Sequence, residues 1–242
     1  AWTYDSPPIT NGDYKVEATA TDRADNTGNS RIVEYTIDAT APNISNVILS
    51  KDGQDNMDFS FESDEQLGGD ASDITVTVDG PGEATYSFDR DDFDETGDNG
   101  SYTYNLLTTQ AYDDGYGTYT ASVDDAIDVA GNNGADENDT TTYYLYEQPV
   151  ADAGTGGETC GLSFDLQATL STEKGSGSWQ IAEGAPGSAT NWSNGNDKDT
   201  TTVTVNAYGT YEFIWTETNG PNSDSDIITV TFYEQPVADA GT

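Results

Sequence analysis

Apolar and polar residues alternate in short runs along most of the chain, and clusters of Asp, Gly, Asn and Ser interrupt the runs. Alternation with a period of two puts one set of side chains on one face of an extended strand. Residues 14–22 (YKVEATATD) and 30–38 (SRIVEYTID) read this way on either side of the turn-rich RADNTGN, which predicts a β-hairpin. A lone hairpin is marginal in water, so residues 1–41 are expected to be the C-terminal part of a sandwich whose earlier strands lie upstream. Ala39-Thr40-Ala41-Pro42 then reads as a linker, because proline ends ladder donation and stiffens the joint.

Within residues 42–146 seven runs follow, at 44–50, 57–63, 74–78, 85–88, 101–107, 118–123 and 140–146, each separated by an Asp/Gly/Asn-rich turn. Seven short strands in about 100 residues fit an immunoglobulin-like Greek-key sandwich. Residues 147–233 repeat the theme, with strands expected at 162–169, 177–181, 201–206, 210–217 and 227–233. Residues 149–155 read as an opening edge strand or linker, and 184–199 as a long polar connection containing Trp192. The predicted fold class is therefore all-β: tandem immunoglobulin-like Greek-key sandwiches joined by short linkers.

Two repeats support this division. The string YEQPVADAGT occurs at 146–155 and again at 233–242, which points to tandem modules, with 234–242 the start of a next one. On this reading the chain is a slice of a longer repetitive protein. Gly-x-Tyr precedes the penultimate strand three times, at Tyr14, Tyr119 and Tyr211. In Greek-key sandwiches a Tyr at that place turns its hydroxyl back onto nearby backbone. These tyrosines are thus expected to be structural, as is Trp179, which falls on the third strand of its module where a sandwich buries a core Trp.

Composition narrows the function. Hydrophobic residues make up only 33%, but 15 Tyr, 7 Phe and 4 Trp supply bulk for thin cores; each buried aromatic removes roughly 150–250 Å² from water. Against 45 Asp and Glu stand 7 Lys and Arg, a net charge of −38. Nucleic acid and anionic membrane surfaces both require basic patches, so neither is an expected partner. No apolar run approaches the ~18 residues of a membrane span, and no direct membrane insertion is expected. Most of the acids read as hydrated surface, suited to a marine or halophilic medium that screens self-repulsion. There is no histidine, so Ser-His-Asp and Cys-His catalytic sets and Cys/His zinc sites are absent. Carboxylate pairs are too numerous to mark a glycosidase, and the chain is expected to have no catalytic residues.

Calcium is the ion such a sequence would take, since it binds six to eight hard oxygens. In tandem sandwiches the last strand of one module ends near the second–third and sixth–seventh strand loops of the next. At the first junction this gathers Asp38, Asp64, Glu65, Asp124 and Asp128; at the second the candidates are Asp113, Asp114, Asp152, Asp224 and Asp226, with Asp239 in the equivalent place of the repeat. The run Asp92-x-Asp94-x-Thr96-Gly97 partly mimics an EF-hand loop but has Thr103 where the twelfth-position Glu belongs. Asp139-Thr140-Thr141 and Asp199-Thr200-Thr201 resemble bacterial O-glycosylation strings, with Thr140 and Thr200 as acceptors.

Beyond these patterns, YKVEATATDRADNTGNSRIVEYTIDATAP resembles the end of a bacterial Ig-like domain, although Asp22-Arg23-Ala24-Asp25-Asn26 departs from the usual A-G-N turn. Residues 41–146 resemble a further such module, including Asp128-Val129-Ala130-Gly131-Asn132. Residues 147–233, with PVADAGTGGETCG, SGSW, YGTYEFIWTETNG and SDSDIITVTF, resemble the PKD-like Ig modules of large secreted surface proteins of gliding, type 9-secreting bacteria. The resemblance implies an extracellular, cell-surface location. The leading reading is a non-enzymatic stalk segment of an adhesin or surface filament, with calcium at its joints as the clustered acids suggest. The partners would be neighbouring modules of the same chain and surface glycans or other cells. In the PKD-like family the T-C-G cysteine has a partner in the last hairpin; Asn219–Asp224 has none, so Cys160 is expected to be a free, partly buried thiol. Two other readings stay open on the sequence. One is an accessory module of a secreted polysaccharide hydrolase, binding glycan through Trp192 or Tyr116. The other is a filament subunit whose residues 1–41 are completed by a neighbouring chain.

Overall fold

The computed structural model describes residues 10–239 and 241. Among them the regular structure is strand throughout, apart from two 3-10 turns at Ala71–Asp73 and Arg90–Asp92. Residue contacts separate the chain into two compact units, 1–145 and 146–242.

The first unit opens with the expected hairpin: β1 (Gly12–Val16) pairs with β4 (Val33–Ile37), and β2 (Thr19–Thr21) with β3 (Thr27–Asn29). Each arm is two strands rather than one. At the break Ser30 Oγ accepts the Ala18 amide at 2.7 Å, so a side chain replaces a ladder partner. A complete sandwich follows. β5 (Ile44–Lys51), β6 (Met57–Ser63), β9 (Phe93–Asp98) and β10 (Ser101–Leu106) form one sheet in the order β5-β6-β10-β9. β7 (Ile74–Asp79), β8 (Thr85–Asp89), β11 (Gly117–Ala126) and β12 (Thr140–Leu145) form the other, in the order β12-β11-β7-β8. This is the immunoglobulin-like Greek key. The inward residues are the apolar members of the alternating runs: Phe59, Phe61, Ile74, Val76, Val78, Tyr104, Tyr119 and Ala121 are all fully buried. Phe61 stacks on Tyr104 with centroids 5.1 Å apart, and Phe93 meets Phe61 edge-on at 5.8 Å.

Strand β9 was expected to be a turn. Its sequence FDETGD has one apolar residue and no alternation, because an edge strand with only Phe93 facing inward needs no apolar stripe. The EF-hand-like run lies within this segment. As an extended strand paired with β10 it lays Asp94 and Thr96 along one face, roughly 7 Å apart, instead of curling them round one ion.

In the second unit β13 (Gly157–Cys160), β15 (Ser176–Ile181), β18 (Gly209–Asn219) and β19 (Asn222–Tyr233) form one sheet in the order β13-β19-β18-β15, with β13 parallel to β19. β14 (Ser163–Gln167), β16 (Ala189–Trp192) and β17 (Thr200–Val205) form the other, in the order β14-β17-β16. Two sequence expectations change here. Strand β16 lies inside what reads as a polar connection. Residues 149–155 take the linker form of the two expected, with an isolated Asp152–Thr169 bridge. Cys160 is exposed, because its edge strand has a neighbour on one side only. Tyr146 does not extend β12: it belongs to the second unit, where its ring fills the space a Gly220 Cβ would need, 2.3 Å away. Trp179 is fully buried, opposite Trp215 at 5.2 Å between centroids.

The hairpins β1–β4, β11–β12 and β18–β19 share one register. Gly12, Gly117 and Gly209 face Ile37, Leu145 and Phe232, and Tyr14, Tyr119 and Tyr211 face Tyr35, Tyr143 and Val230. In the two sandwiches the face carrying these tyrosines is core. In β1–β4 the matching Val16, Val33 and Tyr35 are exposed.

Candidate functional site

The end of β4, the loop after β6 and the loop after β11 come together in the first unit. They line a cleft of about 580 Å³ whose walls include Thr36, Asp38, Asp64, Glu65 and Asp128. Among the described residues, Asp38, Glu65 and Asp128 each offer an oxygen within 4.8 Å of the others.

Local chemistry sets each side chain. Asp128 opens a turn that occurs three times, as Asp22–Asn26, Asp52–Asn56 and Asp128–Asn132. The Asp carboxylate accepts the Asn backbone amide (3.0, 2.8 and 2.8 Å) and the Asn side-chain amide (2.9, 3.0 and 2.8 Å). The fourth residue has positive φ each time: Asp25 at 61°, Asp55 at 66°, Gly131 at 93°. Burial works to raise the Asp128 pKa, but the bonds from Asn132, Ala130 and Gly131 outweigh it and hold the carboxyl below its ordinary value. Buried Asp128 therefore stays charged. Asp38 is fixed by the Asn11 side-chain amide and the Thr40 amide, both at 3.1 Å.

Glu65 is different. Its Oε2 is buried and has no hydrogen-bond partner. Desolvation, then the charges of Asp38, Asp128 and Asp64, push its pKa up. A negative cluster with one unpartnered oxygen suits either a proton held on Glu65 or a hard cation. Three carboxylates supply part of the six to eight oxygens calcium takes, leaving the rest to carbonyls and water.

Two other residues expected here lie outside the trio. Asp64 lines the cleft, but its carboxylate accepts the Asn43 amide at 2.6 Å. Asp124 accepts the Thr77 hydroxyl at 2.7 Å beside the β11 bulge. The remaining acids are engaged within their own units. Asp113 accepts the Tyr86 hydroxyl, and Asp114 accepts the Gly82 and Ala84 amides at 2.7 and 3.0 Å. Asp114 also explains the glycines of that turn, since a Cβ on Gly80 would lie 2.4 Å from its carboxylate.

In the second unit Asp224 and Asp226 accept the Ala151 and Ala153 amides, both at 2.9 Å, and Asp152 accepts the Gly154 amide at 2.8 Å. Asn219 and Asn222 donate to the Glu147 and Tyr146 carbonyls at 3.0 and 3.1 Å. Together these four residues of the β18–β19 hairpin hold the first copy of the repeated string. The Asn and Asp spacing of N-G-P-N-S-D-S-D, read against the carbonyls and amides of the string, is the signal that sequence reading missed.

The tyrosine corners are present in all three hairpins. Tyr14, Tyr119 and Tyr211 donate to the carbonyls of Thr10, Gly115 and Ala207 at 2.6, 2.9 and 2.9 Å. Thr140 and Thr200 are exposed at the starts of β12 and β17. Trp192 is half-buried, edge-on to Phe213 at 6.3 Å, while Tyr116 is exposed.

No family model matches the chain, and no curated protein matches it. Solved structures similar to it include the PKD domain from KIAA 1837 protein, at 24% identity over 39% of this chain and 96% of that one, TM-score 0.32. The N-terminal eight Ig domains of Down Syndrome Cell Adhesion Molecule match at 13% identity over 90% of this chain and 28% of that one, TM-score 0.44. Murine CEACAM1b matches at 12% identity over 78% of this chain and 100% of that one, TM-score 0.38.

Proposed function

We propose that the chain is a non-enzymatic segment of a repetitive cell-surface protein, in which immunoglobulin-like modules are joined in series and the joint after β4 takes up calcium. The observation that carries this reading is the convergence of Asp38, Glu65 and Asp128 where the hairpin β1–β4 leads into the first complete sandwich. Each carboxylate comes from a different part of the chain: the end of a strand, the loop after β6 and the turn after β11. A cation shared among them would tie the linker to two loops and neutralise their repulsion. On the same reading β1–β4 is the last hairpin of a further sandwich, which its register supports. The acidic surface, with 45 acids against 7 bases, keeps modules hydrated and apart in a salty extracellular medium. The exposed Thr140 and Thr200 hydroxyls are accessible to O-glycosylation, which intact-mass measurement of protein from its native source would reveal.

The test is calcium titration followed by thermal unfolding, comparing the chain with Asp38→Ala, an exposed position whose loss leaves both cores intact. Binding heat and a raised Tm in calcium are expected for the chain and not for the variant. Equal Tm in calcium and in EGTA removes the cation from the proposal. Failure of antibodies against residues 42–145 to label intact cells of the source organism removes the surface location.

A further inference from the structure

The two copies of YEQPVADAGT are chemically identical but differently engaged. In the first, hairpin β18–β19 reads the backbone: Asn219 and Asn222 donate to the Glu147 and Tyr146 carbonyls, and Asp224 and Asp226 accept the Ala151 and Ala153 amides. The Gln148 side-chain amide adds a bond to the Ser223 carbonyl at 3.2 Å. Asn222, Asp224 and Asp226 at alternating positions of β19, with Asn219 across the turn, thus match carbonyls and amides along one extended strap. Gly220 completes the fit by leaving room for the Tyr146 ring.

In the second copy, residues 234–239 are all exposed and lie outside any strand. Yet its local turn is already made. The Gly241 amide donates to Asp239 Oδ1 at 2.9 Å with Gly241 at φ 72°, as the Gly154 amide donates to Asp152 Oδ1 at 2.8 Å with Gly154 at φ 75°. The bound conformation of this turn therefore exists without a bound partner, which lowers the ordering cost of docking.

We propose that residues 233–239 are a docking strap for the terminal β-hairpin of a following immunoglobulin-like module in the same polypeptide, a hairpin carrying Asn-Gly-x-Asn-x-Asp-x-Asp. Its two Asn side chains donate to the Glu234 carbonyl and to the second lone pair of the Tyr233 carbonyl, which already accepts the Gly161 amide at 2.9 Å, and its first Asp accepts the Ala238 amide. A following module is the occupant because the chain's own hairpin is filled by the first copy, and that copy directly precedes the module it serves. The assignment is independent of whether the carboxylates of the first unit bind a cation.

The experiment extends the full chain with a second copy of residues 156–233 after Thr242 and follows amide hydrogen exchange at Ala238. Exchange should slow by at least about tenfold relative to the 242-residue chain. Asp224→Ala made only in the appended copy should restore fast exchange at Ala238 while the amides of that copy's β18 equivalent stay protected. Unchanged exchange at Ala238 beside a folded appended copy overturns the proposal. So does concentration-dependent association of the unextended chain that is lost on deleting residues 234–242, because the strap's partner would then be another chain.

Discussion

The Glu217 carboxylate, fully buried on the core face of β18, accepts both the backbone amide and the hydroxyl of Ser171, at 3.0 Å each. Thr172 supplies the same two donors at 3.0 Å. Ser171 Oγ in turn accepts the Val150 amide at 2.8 Å, so this buried acid ties the loop after β14 to the opening strap. Burial pushes the Glu217 pKa up, but the Ser171 and Thr172 amides and hydroxyls outweigh it, and the folded pKa lies below the ordinary value. A depressed folded pKa contributes stability above the unfolded value of about 4.3, and that stability is lost as pH falls through the folded pKa. Glu217→Ala should cost about 3 kcal/mol at pH 7, because it leaves four donors unpaired, two of them on the buried Thr172. Denaturant unfolding at pH 7 and pH 3 should show the gap between Glu217→Gln and the parent narrowing on acidification. A gap that does not change with pH means that folding leaves the Glu217 pKa unshifted, and a gap that widens on acidification means that Glu217 is protonated in the fold.

Phenylalanine at the tyrosine corners should cost about 1 kcal/mol each at Tyr119 and Tyr211, the worth of a hydroxyl bond to an otherwise unpaired carbonyl. Burial raises the pKa of both phenols. Their contribution is present below the unfolded value of about 10 and is lost as pH rises through the folded pKa. Phenolate absorbance from these residues should therefore appear at higher pH than for free tyrosine and rise together with unfolding, with Tyr211→Phe the less sensitive to base. Equal stability of Tyr119→Phe, Tyr211→Phe and the parent at pH 7 rules out a structural role for these hydroxyls.

The paired strands were legible wherever one face is core. The alternation in MDFSFES and GTYEFIWTETN becomes alternating burial in β6 and β18. The edge strands β9, β13 and β16 were not, because they have little apolar stripe to display, whereas the edge strands β5, β8, β12, β14 and β15 carry enough alternation to be read. The Gly-x-Tyr signature located all three corners. The site was half legible. Topology brought Asp38, Glu65 and Asp128 to one place, but nothing in the sequence says that Asn43 would take Asp64 or Thr77 take Asp124. Sequence comparison also set DRADN apart from DVAGN, whereas Asp25 adopts the positive φ that Gly131 supplies, and both turns close with the same bonds. Asp tolerates that region better than most residues.

Gly177 lies beneath the Trp215 indole, where an added Cβ would come within 1.9 Å of the ring. Trp215 is fully buried against Trp179, so the ring has nowhere to retreat. Gly177→Ala should destabilise the second sandwich by about 1–3 kcal/mol through overpacking. Near-ultraviolet circular dichroism should report the displaced indole pair. An unaltered spectrum and unfolding midpoint would mean the indole does not sit over this glycine.

Glu65 gives the sharpest contrast between ionic conditions. Its pKa is raised by desolvation first and then by Asp38, Asp128 and Asp64. A carboxyl whose folded pKa exceeds its unfolded value of about 4.3 favours folding below that value and loses the advantage as pH rises through the folded pKa. At pH 7 without cations, Glu65→Gln should therefore be more stable than the parent, because it removes one charge from a repelling trio. The advantage should vanish near pH 4, where the parent carries its proton. Calcium should reverse the order at pH 7 by stabilising the parent and leaving the variant unchanged, since the amide supplies a neutral, weaker oxygen. Urea unfolding in EGTA and in calcium at both pH values separates these effects. If Glu65→Gln is no more stable than the parent in EGTA at pH 7, the trio is not under electrostatic strain and has no need of a cation.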